Sequence, residues 1–242
     1  VYDTMGAIIR TMEIQGSREG HNMGKHRSAE QIKQEILRGT QHLVAVGGMS
    51  NFSFPKLSAQ TGISAPTVYE HYKNKEELLT SCFMSIDEEI SSLVERLLAA
   101  IPAHLGDPKQ INDYCWLLWN VYWRFLLADA DKTQFYWSFY NSEYYTQPVF
   151  AQRNRNFSAF NDFVDQIDRR FHISEKSNVF MLVVNLLNVT VSSAVKVLTG
   201  EVENNEITVN TVYRMVFQPL FSVFGFDSDE RSSAPPQMHA ST

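Results

Sequence analysis

The stretch SFPKLSAQTGISAPTVYEHYKNKEELL, Ser53 to Leu79, holds two short helical patterns separated by one tight turn. Ser53 is placed to cap a first short helix, and Pro55 falls in its first turn, where a missing amide proton costs little. Leu57 is the inward residue of that helix, and the small Ser58 and Thr61 let a neighbouring helix come close. Gly62 suits a tight turn that a side chain would strain, Ile63 plugs the turn into the core, and Ser64 caps the second helix. Val68 and Tyr72, four apart, anchor that second helix inward, which leaves positions 65, 66, 67, 70 and 71 facing out. A helix of roughly eight residues with short side chains at its start can enter the DNA major groove end-on.

The flanking sequence is helical in pattern from Ser28 onward. Ser28 can cap a helix whose apolar stripe is Ile32, Ile36, Leu43 and Val46, and Gly47-Gly48 closes it. Asn74 and Glu77 form a capping-box-like N-x-x-E before a long helix seamed by Leu79, Phe83, Ile86, Ile90, Leu93 and Leu97. Pro102 and Gly106 break it. Further helices are predicted over 107–128, 132–141, 147–172, 176–198 and 207–224, with Pro219 kinking the last. With no alternating strand pattern, the expected fold is all-α: a three-helix head with a helix-turn-helix, joined by a long helix to a larger helical domain. The expected division is a leader over 1–23, the head over 24–74, an effector-binding and dimerisation domain over 75–226, and a polar, disordered tail over 227–242. Residues 1–22 read as non-native or disordered. Met23 is the expected start, since Ser17-Arg18-Glu19-Gly20 can be encoded by a purine-rich run resembling a ribosome-binding site.

Charge is distributed unevenly. The chain carries a net charge of −6, yet residues 24–80 hold 7 Lys/Arg against 5 Asp/Glu. Residues 81–242 hold 12 against 19, so the positive balance sits on the helix-turn-helix and the acidic remainder is repelled by phosphate. Cys82 and Cys115 both fall in apolar helical patterns, consistent with two buried, reduced thiols and a cytoplasmic location. The most apolar run, 179–198, is interrupted by Asn185, Asn188, Thr190, Ser192, Ser193 and Lys196, which suits a protein core better than lipid and predicts no membrane partner.

From Leu57 to Leu78 the sequence resembles the TetR family of bacterial transcriptional regulators. That family's pattern runs apolar-Ala-x-x-Ala-Gly-Val-Ser-x-Gly-Thr-apolar-Tyr-x-His-Phe-x-x-Lys-x-x-Leu. Here Ser58, Thr61, Ile63 and Tyr72 replace Ala, Ala, Val and Phe, and Pro66 replaces the commoner Gly. The resemblance implies that Ser53, Thr67, Tyr69 and Lys75 contact DNA phosphates, in keeping with the positive potential of helix N-termini. Ala65, Pro66, Glu70 and His71 are the candidates for reading bases, and Lys25 and Arg27 form a basic arm for a neighbouring minor groove. Each has a plainer alternative: Tyr69 packing on the long helix, His71 covering the turn, Glu70 repelling the wrong register, and Lys56 and Lys73 merely solvated.

The larger half concentrates aromatics. All four tryptophans lie between Trp116 and Trp137, and Tyr114–Tyr145 holds thirteen of the thirty aromatic residues. The resemblance implies an inducer pocket here. Trp116, Trp119, Asn120, Trp123, Arg124, Trp137 and Asn141 are its candidate residues, for a small hydrophobic or aromatic effector; the alternative is that the rings simply fill a bundle core. The last two helices, with Val183, Leu186, Leu187, Val191 and Val195, then Val212, Val216 and Leu220, carry apolar surface that the family pairs across a two-fold axis, implying a homodimer on palindromic double-stranded DNA. The function implied is a ligand-responsive repressor, with activation left open. The alternative is a DNA-bound adaptor that positions a protein partner without an inducer. No nucleophile elbow, His-Glu-x-x-His, phosphate loop or paired Cys/His at metal spacing occurs, so no enzyme, cofactor or metal is expected.

Overall fold

The computed structural model describes residues 28–99, 108–171 and 176–223; the leader, the Lys25/Arg27 arm and the 227–242 tail lie outside them. The described residues form ten α-helices and no strand: α1 (Ala29–Gly47), α2 (Phe54–Thr61), α3 (Ala65–His71), α4 (Lys75–Ala99), α5 (Pro108–Ala128), α6 (Ala130–Tyr140), α7 (Gln147–Asn156), α8 (Ser158–Phe171), α9 (Lys176–Leu198) and α10 (Glu206–Val223). A 3-10 turn, Met49–Asn51, joins α1 to α2. The all-α architecture read from the pattern is what the chain adopts.

Local chemistry explains the helix ends. Ser28 and Gln31 form a reciprocal capping box at α1, the Ser28 hydroxyl accepting from the Gln31 amide at 3.2 Å and Gln31 Oε1 from the Ser28 amide at 2.8 Å. Ahead of α4, Asn74 Oδ1 accepts from the Glu77 amide at 2.8 Å, but Glu77 reaches back to the Lys73 amide, also at 2.8 Å, one residue earlier than a standard box. Asp129 caps α6, which starts two residues ahead of the predicted position, by accepting from the Lys132 amide at 3.0 Å. The last helix runs through Pro219 to Val223.

Two expectations need correction. Residues 147–172 are not one helix, because the chain breaks at Phe157 (φ −94°, ψ 19°), whose ring is buried between α7 and α8. Ser53 stands at the N-cap of α2 with extended backbone, but its side chain makes no capping hydrogen bond.

One apolar cluster runs from the head into the body, from Ile36, Leu57 and Val68 through Leu79 and Phe83 to Phe135, Phe139, Trp123 and Tyr213. Helix α1 lies along α6, so the head is seated on the body as well as joined to it through α4. Within the cluster Phe83 stacks on Tyr136 at 4.8 Å and on Phe139 at 4.5 Å. Helix α9 contains a stretch, Met181–Leu198, long and apolar enough to cross a membrane by length and composition, with mean hydropathy 1.7. It packs on α5, α6 and α10, and its Thr190, fully buried, accepts from Trp119 Nε1 at 3.0 Å.

Candidate nucleic-acid interface and internal cavity

The head is a three-helix unit held by few, fully buried contacts. Leu57 and Val68 have no solvent exposure, and Ile63 and Tyr72 are nearly as buried. Gly62 closes α2 in the left-handed conformation (φ 70°), donating its amide to Ser58 O at 2.9 Å, which sets the turn into α3. Gly39 of α1 sits where the helices cross. A Cβ there would stand 2.5 Å from Thr61 Cγ2 and 2.9 Å from Leu57 Cδ1, so the approach of α1 to α2 requires glycine. Because α3 is anchored at Val68 and Tyr72, its opposite side is presented outward as a fixed row.

On that row Pro66 and Glu70 are exposed, and Ala65, Thr67 and His71 are half-exposed. The Ser64 hydroxyl accepts from the Thr67 amide at 3.3 Å and lies 2.8 Å from the Thr67 hydroxyl, capping α3. Tyr69 is 57% exposed and packs edge-on to Phe54 of α2 at 4.8 Å, rather than against the long helix. Ser53 is half-exposed at the start of α2. Lys75 is tethered: its ammonium donates to Met49 O at 2.7 Å and lies 5.9 Å from the Phe52 ring and 5.8 Å from that of Tyr144. Lys56 is not merely solvated, since it donates to both the backbone carbonyl and the side-chain oxygen of Asn51. Lys25 and Arg27 lie outside the described residues.

Residues 36–82 match the family model described as bacterial regulatory proteins, tetR family. These residues carry a tetR-type N-terminal domain. A curated HTH-type transcriptional regulator of Haemophilus influenzae is 24% identical over 95 residues, a match spanning 39% of this chain and 47% of that relative. The TetR-like fold extends through the body. A TetR family regulator of Marinobacter aquaeolei superposes with TM-score 0.64 and 19% identity over 77% of this chain and 94% of that one. A TetR-family regulator of Haemophilus influenzae does so with TM-score 0.55 and 18% identity, over 80% and 98%. A FadR regulator of Bacillus subtilis, solved in complex with stearoyl-CoA, does so with TM-score 0.54 and 16% identity, over 76% and 97%.

The body of the chain holds an apolar cavity of about 130 Å³. Helix α4 lines it with Ile90, Leu93, Val94 and Leu97, and α5 with Cys115, Leu118, Trp119 and Tyr122. Phe157, α8, α9 and α10 complete the wall. Of the residues proposed from sequence only Trp119 is in it. Trp116 and Trp123 flank Trp119 at 5.6 and 5.4 Å, and Trp116 packs edge-on to Tyr213 at 4.8 Å. Asn120 is half-buried and Arg124 exposed, neither on the wall. Trp137 lines a separate niche of about 10 Å³ beside Arg153, and Asn141 is exposed, donating to Trp137 O at 2.8 Å. Cys82 is buried, whereas Cys115 keeps partial exposure because it faces the cavity; burial pushes its thiol up to about 12.

Sequence reasoning missed the polar joint next to this cavity. Asp87 of α4 has no exposure and accepts from Tyr136 Oη at 3.0 Å, Arg153 Nε at 3.1 Å and Asn156 Nδ2 at 3.5 Å. Burial pushes the Asp87 carboxyl above its usual range, against the pull of Arg153, Tyr136 and Asn156 toward the charged form. The guanidinium is covered by the rings of Tyr140 and Phe157, at 5.7 and 5.4 Å. The signal was present in the sequence. Asp87 lies four residues after Phe83 and three before Ile90, on the apolar seam of α4, where a carboxylate needs a buried partner.

Proposed function

We propose that this chain is a sequence-specific DNA-binding transcriptional regulator, a ligand-responsive repressor that occupies a palindromic operator as a homodimer in the cytoplasm. The observation that carries the reading is the outward row of α3 on a rigidly buried anchor, Val68 and Tyr72. Ala65, Pro66, Glu70 and His71 read base edges. Ser53, Thr67, Tyr69 and Lys75 hold phosphates, and Lys25 and Arg27 follow a minor groove. Lys75 does so as a short-range charge near the start of α4, since its ammonium is tethered to Met49 O. Residues 24–74 make up the DNA-binding unit and 75–226 the effector and dimer unit.

One copy of the seven-residue reading helix α3 covers too few base pairs, so two copies are needed. Leu186, Val191, Val212, Val216 and Leu220, expected on the dimer face, are buried within the chain; exposed Met181, Ile207 and Met215 on α9 and α10 are the apolar surface left for a second copy. The effector is a small hydrophobic or aromatic molecule held in the α4–α5 cavity. Its binding favours an arrangement of heads that no longer fits the operator. The stearoyl-CoA complex of the Bacillus subtilis FadR supports this use of the fold. An adaptor without an inducer fits less well, because an unfilled apolar cavity has no use in it.

Genomic footprinting with the native protein, followed by mobility shift on the recovered fragment and light scattering of the free protein, tests the reading. The expected result is a palindromic site, a dimer at micromolar concentration and release by a small apolar compound. A monomer that retains no DNA fragment overturns it.

A further inference from the structure

We propose that the part of the effector buried between α4, α5 and α9 carries no charge, and that the site selects a neutral apolar molecule against a carboxylate or an ammonium of the same shape. This rests on the reading of the cavity as the effector site.

The wall is the first argument. Among the described residues it holds no ionisable side chain except the Cys115 thiol and the Tyr122 phenol, and both favour their neutral forms because burial raises their pKa. No wall residue carries an opposite charge, and the aromatic faces give an ammonium only about 0.5–2 kcal/mol, less than the several kcal/mol that desolvating an ion costs.

The second argument concerns the one charged pair nearby. Arg153 is the natural candidate to hold an anionic headgroup, but its Nε is committed to Asp87 and its planar face to Tyr140 and Phe157. The niche beside it, bounded by Tyr122, Leu187 and Asn188, measures about 10 Å³, no more than a single water requires. Tyr122 and Leu187 line both spaces, and Phe157 both lines the cavity and lies under the guanidinium, so apolar surface separates ligand from charge. Asp87, the matching candidate for a cation, is enclosed by its three donors. The two charges therefore pair with each other, and neither lines the cavity. Its volume is of the order of the roughly 150 Å³ apolar cavities that stay dry and take benzene.

The test titrates the full chain with toluene, benzoate and benzylammonium, which share one ring and differ in charge, using ligand-observed NMR and intrinsic tryptophan fluorescence. The expected result is saturable toluene binding, with benzoate and benzylammonium at least 30-fold weaker. Leu186→Phe and Val94→Phe, each filling the cavity and each verified as folded by circular dichroism, should weaken toluene at least tenfold. Benzoate or benzylammonium binding as tightly as toluene overturns the inference, as does toluene binding unchanged in both filled variants. Saturable binding of none of the three probes overturns the effector-site reading beneath it.

Discussion

Replacing Asp87 with alanine probes the joint that ties α4 to α6 and α7. The wild-type carboxylate is fully enclosed, and Arg153, its partner at 3.1 Å, has a side chain only 14% exposed. Asp87→Ala leaves that guanidinium buried without a counter-charge and strips Tyr136 and Asn156 of an acceptor. Breaking one side of a buried pair costs about 3–5 kcal/mol, a large part of the roughly 5–15 kcal/mol that holds a typical domain together. Asp87→Leu combined with Arg153→Met removes both charges and should recover much of that loss, leaving about 1–3 kcal/mol for the Tyr136 hydroxyl that still lacks its acceptor. Urea denaturation followed by circular dichroism measures both, at one fixed protein concentration because self-association shifts apparent stability. A single substitution costing less than about 1 kcal/mol, the range of exposed ion pairs, would refute the claim that this pair is buried.

Two substitutions in the head test its packing. Gly39→Ala should destabilise by about 1–3 kcal/mol in thermal or urea melts, because the new methyl meets Thr61 and Leu57 inside contact distance. Tyr72→Phe should be neutral or stabilising by about 1 kcal/mol, since the Tyr72 hydroxyl is buried with no hydrogen-bond partner among the described residues and removing it relieves that desolvation. Burial also pushes this phenol up to about 12, so the variant should leave the pH dependence of stability below pH 9 unchanged.

The head was legible in the sequence because its determinants are local. Ser64 caps α3, Gly62 takes the left-handed turn, and Leu57, Ile63, Val68 and Tyr72 are buried as their spacing requires. Contacts between residues far apart in the chain were not legible. Phe157 breaks the 147–171 segment with no glycine or proline to announce it, because the ring is held under Arg153 and against the cavity. Of the tryptophan stripe on α5, only Trp119 lines the cavity. Helix α5 is apolar on two sides, and the side facing the cavity is Cys115, Leu118, Trp119 and Tyr122, while Trp116 packs on Tyr213. Periodicity identifies an apolar face; which neighbour covers it depends on packing between helices distant in sequence.

DNA binding through the exposed row of α3 is most directly tested by fluorescence anisotropy on the palindromic fragment recovered by footprinting, comparing the native protein with Thr67→Ala/Tyr69→Ala. Both positions are at least partly exposed, so the variant should melt within a few degrees of wild type. The predicted result is an affinity at least tenfold weaker for the variant, with the slope of log affinity against log salt nearly unchanged because neither residue carries a charge. Unchanged affinity in a folded variant would contradict the assignment of α3 as the DNA-reading element.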